Sequence, residues 1–539
     1  MKPARLAAAA LLLALLLQCV LSMRLQGATY DEHAHLPAGY TYWKTGDLRL
    51  NPQHPPLVKL LAALPLLLLN PRVDWSDESW AGPRPSQWRF GARFFYGWGN
   101  DADALLFAGR LPIVLLSLLL GAYVFRWSSE RFGPRAGVFG LLLYAFCPNV
   151  IAHSRLVTMD LALSAFSTIA LYYLWRFLRE ETMRPLVLCT VFLGLALGSK
   201  FSALVVVTLV AGWLVMRPVR GTAAPAAPSR KQGRKEKTKA EAAIAPARVG
   251  WAAALGIAIG GAALVAWASY LFPADPAFYW NGVAVVNRDH RPDHFYYLMG
   301  EFKQGRWWYY FLAALAFKTP VPALLSTAIA GALAWRTRAS TGRDDLLLLV
   351  PMAGFVAFTS ALADNLGVRY VLPVFPLAFI FASRIAEPLT RTRPGQAAVA
   401  VLALWQIVGA LRVFPDHLGY FNEPSGGVAR GYRLLDDSNI DWGQDLKRLG
   451  RYLQEQKPTP AVRVCYDLNG HPPYYGVDTA RITVEQMAAG TPAPGFYAIA
   501  AHCLVRVRTH DRPGQPSFDW LERYEPVGRV GAFHLFRFP

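Results

Sequence analysis

The chain has 539 residues, 54% of them hydrophobic and 17% charged. Its apolar residues are gathered into blocks of about twenty rather than spread at amphipathic spacing, which excludes an ordinary soluble enzyme and predicts an α-helical polytopic membrane protein. The net charge of +19 does not argue for a nucleic-acid partner, because Lys and Arg fall mostly in short loops between apolar blocks, where they orient helices.

The first apolar block, residues 6–23, follows Met-Lys-Pro-Ala-Arg. It reads either as a signal peptide or as a retained helix anchored in the cytoplasm, and the lack of a clear small-x-small cleavage site favours the helix. A polar loop, 24–103, comes next. Within it, 57–69 is too short to span and starts at Pro-Pro, so it is expected to lie at the membrane interface. Further blocks at 104–125, 136–152, 158–178, 185–198, 200–216, 249–270, 309–335, 346–363, 369–384 and 397–414 bring the expected spans to about eleven. The basic loops 126–135, 176–184, 217–248, 335–343 and 384–396 then share one face, taken as cytoplasmic. The loops 24–103, 153–157, 199–200, 271–308 and 364–368, with everything after 414, share the other. The reading is a multi-pass protein of the cell (inner) membrane with a cytoplasmic N-terminus.

The linker 217–248 is rich in Ala, Pro, Lys and Arg without apolar periodicity and is expected to be a disordered cytoplasmic loop. After Val413 the composition becomes that of a soluble domain. Residues 461–468, 495–505 and 531–539 read as strands and 441–456 as a helix with Asp441 and Trp442 near its start. Together they suggest a small extracytoplasmic α/β domain over 415–539, following a membrane domain over 1–414. Five cysteines show no CxxC and no zinc spacing, so they carry no metal signature. Cys465 and Cys503, the two outside apolar blocks, sit on predicted strands in an oxidising compartment and are either a disulfide or two buried thiols.

The chemistry is expected to begin in the stretch Thr29 to Lys59, TYDEHAHLPAGYTYWKTGDLRLNPQHPPLVK. Ionisable groups at a membrane edge are costly and need a partner or a purpose. Thr29-x-x-Glu32 fits a capping box, with acids favoured near a helix N-terminus, which accounts for one carboxylate of Asp31 and Glu32 more easily than for two. The other reading makes one of them a general base towards an acceptor hydroxyl. His33 and His35 lie two apart and cannot share one helical face, which argues against a metal site built from them.

These residues resemble the first outer loop of the protein O-mannosyltransferases and their bacterial relatives, including the aminoarabinose transferase of lipid A: an acidic pair, a spacer, then His-Pro-Pro. The segments 108–121 with Arg110, 152–163 with Arg155 and Asp160, 195–204 with Lys200, and GVRYVLPVFPLAFI at 367–380 follow the order of further features of that family. The resemblance covers about residues 1–414 and departs in the C-terminal third, where GYRLLDDSNIDWGQDLKRL (431–449) is similar to the tail of uncharacterised bacterial members. It implies a GT-C fold and inverting transfer of a sugar from a polyprenyl-phosphate carrier to a protein, lipid or glycan hydroxyl; the sequence indicates no cofactor and leaves a divalent metal open without supporting one. It implies Asp31 and Glu32 as catalytic residues and His54, Arg110, Arg155, Asp160 and Lys200 as donor-binding residues.

The residue chemistry converges on the same expectation: Arg110, Arg155 and Lys200 fall at extracytoplasmic helix ends, either snorkelling to headgroups or neutralising a departing phosphate. His54 either hydrogen-bonds the phosphate or caps the Pro-Pro helix, and Asp160 is expected to pair with Arg155. The aromatic runs 88–99 and 306–311 read as a boundary belt or as sugar platforms. A secondary transporter would need broken helices repeated in two halves, and no such repeat is present. A membrane scaffold with a C-terminal binding domain would leave the acidic pair and His-Pro-Pro unexplained.

Overall fold

A computed structural model describes residues 2–216, 249–289, 294–456, 461–466, 470–477, 481–488, 493–508 and 519–539; the basic linker 217–248 lies outside the described residues. Apolar composition dictates the architecture of the membrane part: long runs of Leu, Ala and Val satisfy their own backbone groups as helices, the only open-ended structure stable in hydrocarbon. Among the described residues six helices are long and apolar enough to cross a membrane: Lys2–Arg24, Ala102–Phe132, Met159–Glu180, Trp251–Ser269, Gly342–Leu362 and Arg393–Arg412. Tyr310–Lys318 and Val321–Arg336 meet at 110° around Thr319-Pro320 and form either a broken seventh span or a re-entrant loop.

The protein is therefore a multi-pass membrane protein, although fewer elements reach full span length than the eleven apolar blocks suggest. The remaining blocks are helical but short, and their breakers are visible. Residues 136–152 divide at Cys147-Pro148 into Pro134–Ala145 and Pro148–His153, and the short helices of 185–198 and 200–216 are separated at Gly198-Ser199-Lys200, where the sequence places a loop. Val374–Ala382 is framed by 3-10 turns at Val368–Val371 and Ser383–Ile385. The basic stretch 335–343 is helical rather than a loop, since helix runs from Val321 to Leu362.

The two ends of the bundle differ in what they bury. At one end Asp345, only 4% exposed, is held by Arg131 at 2.6 Å and by Arg384, which neutralise its charge between three helical segments. At the other, Lys318 donates to the carbonyls of Leu418 and Asn439 (2.7 and 2.5 Å), and the Trp307 amide donates to Asn365 (2.6 Å). Lys318 and Asn365 flank the Val321–Leu362 element, and Asp345 lies about midway along it.

The first polar loop packs onto this second end. Helix Glu32–Thr45 lies against Leu57–Leu69, and Gly39 allows the approach, because a Cβ there would collide with the carbonyl of Lys59. Lys59 is fully buried and donates to the backbone carbonyl and side-chain oxygen of Asn51 (2.6 and 2.8 Å) and to the carbonyl of His54 (2.8 Å), tying the Asn-Pro-Gln-His-Pro-Pro run into one turn.

Beyond residue 445 a second, smaller core forms on a five-stranded mixed sheet. Its order is Arg481–Ile482, Val462–Cys465, Gly495–Ala500, Phe533–Phe538, Gly528–Val530; the first three strands are parallel, and Phe533–Phe538 runs antiparallel to both of its neighbours. Helix Leu446–Glu455 presents Leu446, Leu449 and Leu453 to it at helical spacing. This helix begins five residues later than its sequence pattern suggests, because Gly443 at φ 92° breaks the approach. The stretch 495–505 is likewise not one strand: it turns at Ala501 into helix Ala501–Arg508. Cys503 sits on that helix, disulfide-bonded to Cys465 on its strand with Cα atoms 6.2 Å apart.

Candidate active site

Asp31 and Glu32 are adjacent in sequence and opposite in environment. Glu32 is completely buried. Its two oxygens accept from Arg110 Nε and Nη2 (2.8 and 2.6 Å), from the backbone N and hydroxyl of Thr29 (2.9 and 3.0 Å) and from the backbone N of Val157 (3.0 Å). Burial pushes the carboxyl up, but the Arg110 charge and these hydrogen bonds outweigh it and hold the group below the usual carboxylate range. Half of the expected capping box is therefore present, as Glu32 reaches back to Thr29; the helix itself starts at Glu32, with Asp31 at the N-cap position.

The Asp31 carboxylate does not cap that helix. It turns instead towards Arg369, whose Nη1 donates to Oδ2 at 2.7 Å, and keeps 17% of its side chain exposed. Among the described residues its Oδ1 has no partner. The same guanidinium lies 3.9 Å from Asp160, which accepts from Lys200 at 2.5 Å. Tyr370 supplies a ring face to Lys200 (4.4 Å). Two carboxylates and two cations thus alternate around a half-open point at one end of the bundle.

His54 completes the edge. Its ring meets His35 at 5.5 Å, and its Nδ1 is buried without a partner. Burial and the neighbouring His35, Lys200, Lys59 and Arg369 hold it well below the usual histidine value, so it is neutral at physiological pH. The Nε of Arg369 is also buried and unpartnered. Two polar groups without partners beside one cation cluster leave bonding capacity that an anionic ligand would fill. His33 faces away, towards the Thr29 carbonyl (2.9 Å) and the Tyr96 hydroxyl (3.3 Å), while His35 meets the Val157 carbonyl (2.9 Å). Among the described residues no group of three or more His, Cys, Asp or Glu is gathered to hold a metal ion.

Three sequence expectations need correction. Arg110 does not face the open point: it has no exposed surface and binds Glu32 and the carbonyls of Met23, Gln26 and Gly27. Arg155 does not pair with Asp160; it is buried against Gln26 and the Pro415 carbonyl, and burial, with the Arg110 charge, pulls it down to about 10, still a cation. Asp160 instead points from the first turn of Met159–Glu180 to Lys200. The aromatic run 88–99 is in part neither belt nor platform, because Phe90, Phe94 and Phe95 are buried in the core.

Arg369 is the functional candidate that residue-by-residue reasoning passed over. Its signal was present, an arginine within the R-Y-x-x-P-x-x-P helix, but nothing local tied it to Asp31.

Residues 102–226 match the family model described as dolichyl-phosphate-mannose-protein mannosyltransferase. This is the family that the first-loop motif resembles. Arg110, Arg155, Asp160 and Lys200 fall inside the matched segment, and Asp31, His54 and Arg369 outside it. Among solved structures, ArnT from Cupriavidus metallidurans in the apo state is similar at 14% identity over 98% of this chain and 97% of that one, with a TM-score of 0.46. The same protein bound to undecaprenyl phosphate gives 13% identity over 98% and 97%, with a TM-score of 0.45. The Archaeoglobus fulgidus oligosaccharyltransferase AglB, in complex with an inhibitory peptide and a dolichol-phosphate, gives 10% over 97% and 74%, with a TM-score of 0.46. No curated protein matches the chain.

Proposed function

We propose that this protein transfers a sugar, a hexose or a related glycose, from a polyprenyl-phosphate carrier to an acceptor hydroxyl, with inversion, on the extracytoplasmic face of the inner membrane. The observation that carries the reading is the partly exposed Asp31 paired with Arg369 beside Lys200–Asp160, at the bundle end opposite the Arg131–Asp345–Arg384 cluster. The family match over 102–226 supports the same chemistry.

In this mechanism the acceptor oxygen attacks the anomeric carbon while Asp31 takes the hydroxyl proton. The bond from that carbon to the phosphate oxygen breaks, and the electron pair leaves with the polyprenyl phosphate. Charge growing on that phosphate falls to Arg369 and Lys200, and His54 Nδ1 and Arg369 Nε supply the unused bonding capacity. Glu32 and Arg110 act one layer deeper, fixing the loop that carries Asp31. The disulfide-bonded C-terminal domain lies on the same extracytoplasmic side.

The test is direct. Purified protein in nanodiscs is offered undecaprenyl-phosphate carriers bearing different labelled sugars together with membrane extract as acceptor. Release of undecaprenyl phosphate coupled to label on an acceptor supports the reading. Carrier-independent solute uptake into vesicles, with no transfer from any carrier, contradicts it.

A further inference from the structure

The ten residues Asp436–Asp445, DDSNIDWGQD, belong by sequence to the C-terminal third, yet they bond to the backbone beside both halves of the Asp31–Arg369 pair. On the arginine side, Asn439 Oδ1 accepts from the Val368 backbone N at 3.0 Å, and the Ser438 hydroxyl donates to the Leu366 carbonyl. Gly367, between them, has φ 149°, and a Cβ there would strike the Ser438 hydroxyl, so the turn and the segment are fitted to each other. Asn439 is itself fixed: its Nδ2 donates to the Tyr310 hydroxyl and to the Asp436 carbonyl, both at 2.9 Å, and its carbonyl accepts from the buried Lys318. Trp442 then lays its ring 4.3 Å from the Arg369 guanidinium carbon. On the aspartate side, the Trp442 carbonyl accepts from the Tyr30 backbone N at 2.8 Å, one residue before Asp31, and the Gln444 carbonyl accepts from Gly27 at 2.9 Å.

We propose that this segment completes the active site, with Trp442 and Asn439 as positioning residues that hold Arg369 and Asp31 in register. The inference rests on the glycosyltransferase reading above. Asp31 and Arg369 are 338 residues apart, and the segment bonds to the backbone immediately beside each. A stacked ring fixes the plane of a guanidinium, and so the direction in which its donors point, while leaving its charge intact. Trp442 is 3% exposed and does not meet substrate; it acts through Arg369.

The experiment measures kcat and donor KM per folded molecule for wild type, Trp442→Leu, Trp442→Phe and Asn439→Ala, in nanodiscs with the labelled polyprenyl-phosphate donor. Trp442→Leu keeps apolar bulk but removes the ring face, so kcat falls about ten- to hundredfold while the melting temperature and donor KM change little. Trp442→Phe restores a ring face and recovers most of the loss, a rescue that a purely structural role does not produce. Asn439→Ala releases the Val368 turn and lowers kcat in the same way, which keeps the test open should Trp442→Leu fail to fold. The inference is overturned if wild type transfers sugar and the variants lose only melting temperature, or if Trp442→Phe is as impaired as Trp442→Leu. Wild type inactive with every carrier would overturn both this inference and the reading beneath it.

Discussion

Glu32 and Arg110 form a fully buried, heavily bonded ion pair, and breaking it separates support from chemistry. All five groups that Glu32 accepts from are donors: two guanidinium N–H groups, two backbone N–H groups and the Thr29 hydroxyl. Glu32→Gln, usually conservative, places an NH2 against that set, since one amide oxygen cannot serve every donor and the amide nitrogen faces others. It also leaves Arg110 as an uncompensated charge with no exposed surface. Removing one partner of a buried pair costs about 3–5 kcal/mol, of the order of half the stability of a typical domain. Glu32→Gln and Arg110→Ala should each lower the unfolding temperature and the folded yield in detergent. Combining Glu32→Gln with Arg110→Met should recover part of the loss, because the orphaned charge is gone. Thermal unfolding followed by tryptophan fluorescence measures this. A Glu32→Gln protein that melts like wild type but fails to turn over would refute the argument and return Glu32 to the chemical step.

Other contacts set three further expectations. Lys200→Ala should raise the donor KM about ten- to hundredfold, as expected for a lost charge-assisted bond to phosphate, and an unchanged KM would remove Lys200 from the donor site. Cys465 and Cys503 should resist alkylation in unreduced, denatured protein and react after reduction, the crosslink stabilising the domain by about 3–4 kcal/mol; two free thiols without reductant would contradict the disulfide. In the His502–Asp436 pair (2.8 Å), burial pulls His502 down, but Asp436 outweighs it and raises the histidine above 6.5; Asp436, in turn, is held below 3.8 despite its burial. The stabilisation is therefore full between those two ordinary values, lost upward as pH rises through the raised histidine value and lost downward as Asp436 protonates. The melting-temperature gap between wild type and His502→Gln should be widest near about pH 5–6, and a gap that grew above about pH 8 would refute the sign.

What was legible in the sequence was mostly local. Apolar blocks announced helices because backbone satisfaction in lipid leaves no alternative, and Asp31 and His54 stood out as polar residues at an apolar edge. What escaped depended on distant partners. Asp160 looked paired with Arg155, five residues away, but a residue in the first turn of a helix points where the helix aims it, and here that is Lys200. Arg110 looked like a headgroup or phosphate ligand because its depth is invisible without Met23, Gln26 and Gly27 folded over it. The partner of Asp31 lies 338 residues downstream, and no periodicity or spacing encodes such a contact. Fewer elements reach full span length than the apolar blocks suggest, and one reason is local, since Cys147-Pro148 divides a run, 136–152, whose composition alone looks continuous.

The central claim is that Asp31 removes the acceptor proton. Asp31→Asn keeps the shape of the side chain and a neutral contact to Arg369, but removes its capacity to take a proton. With purified donor and acceptor, turnover should fall about 10²- to 10⁴-fold while folding and donor binding persist. Normal turnover by Asp31→Asn, or a defect confined to a lower melting temperature, would contradict the account.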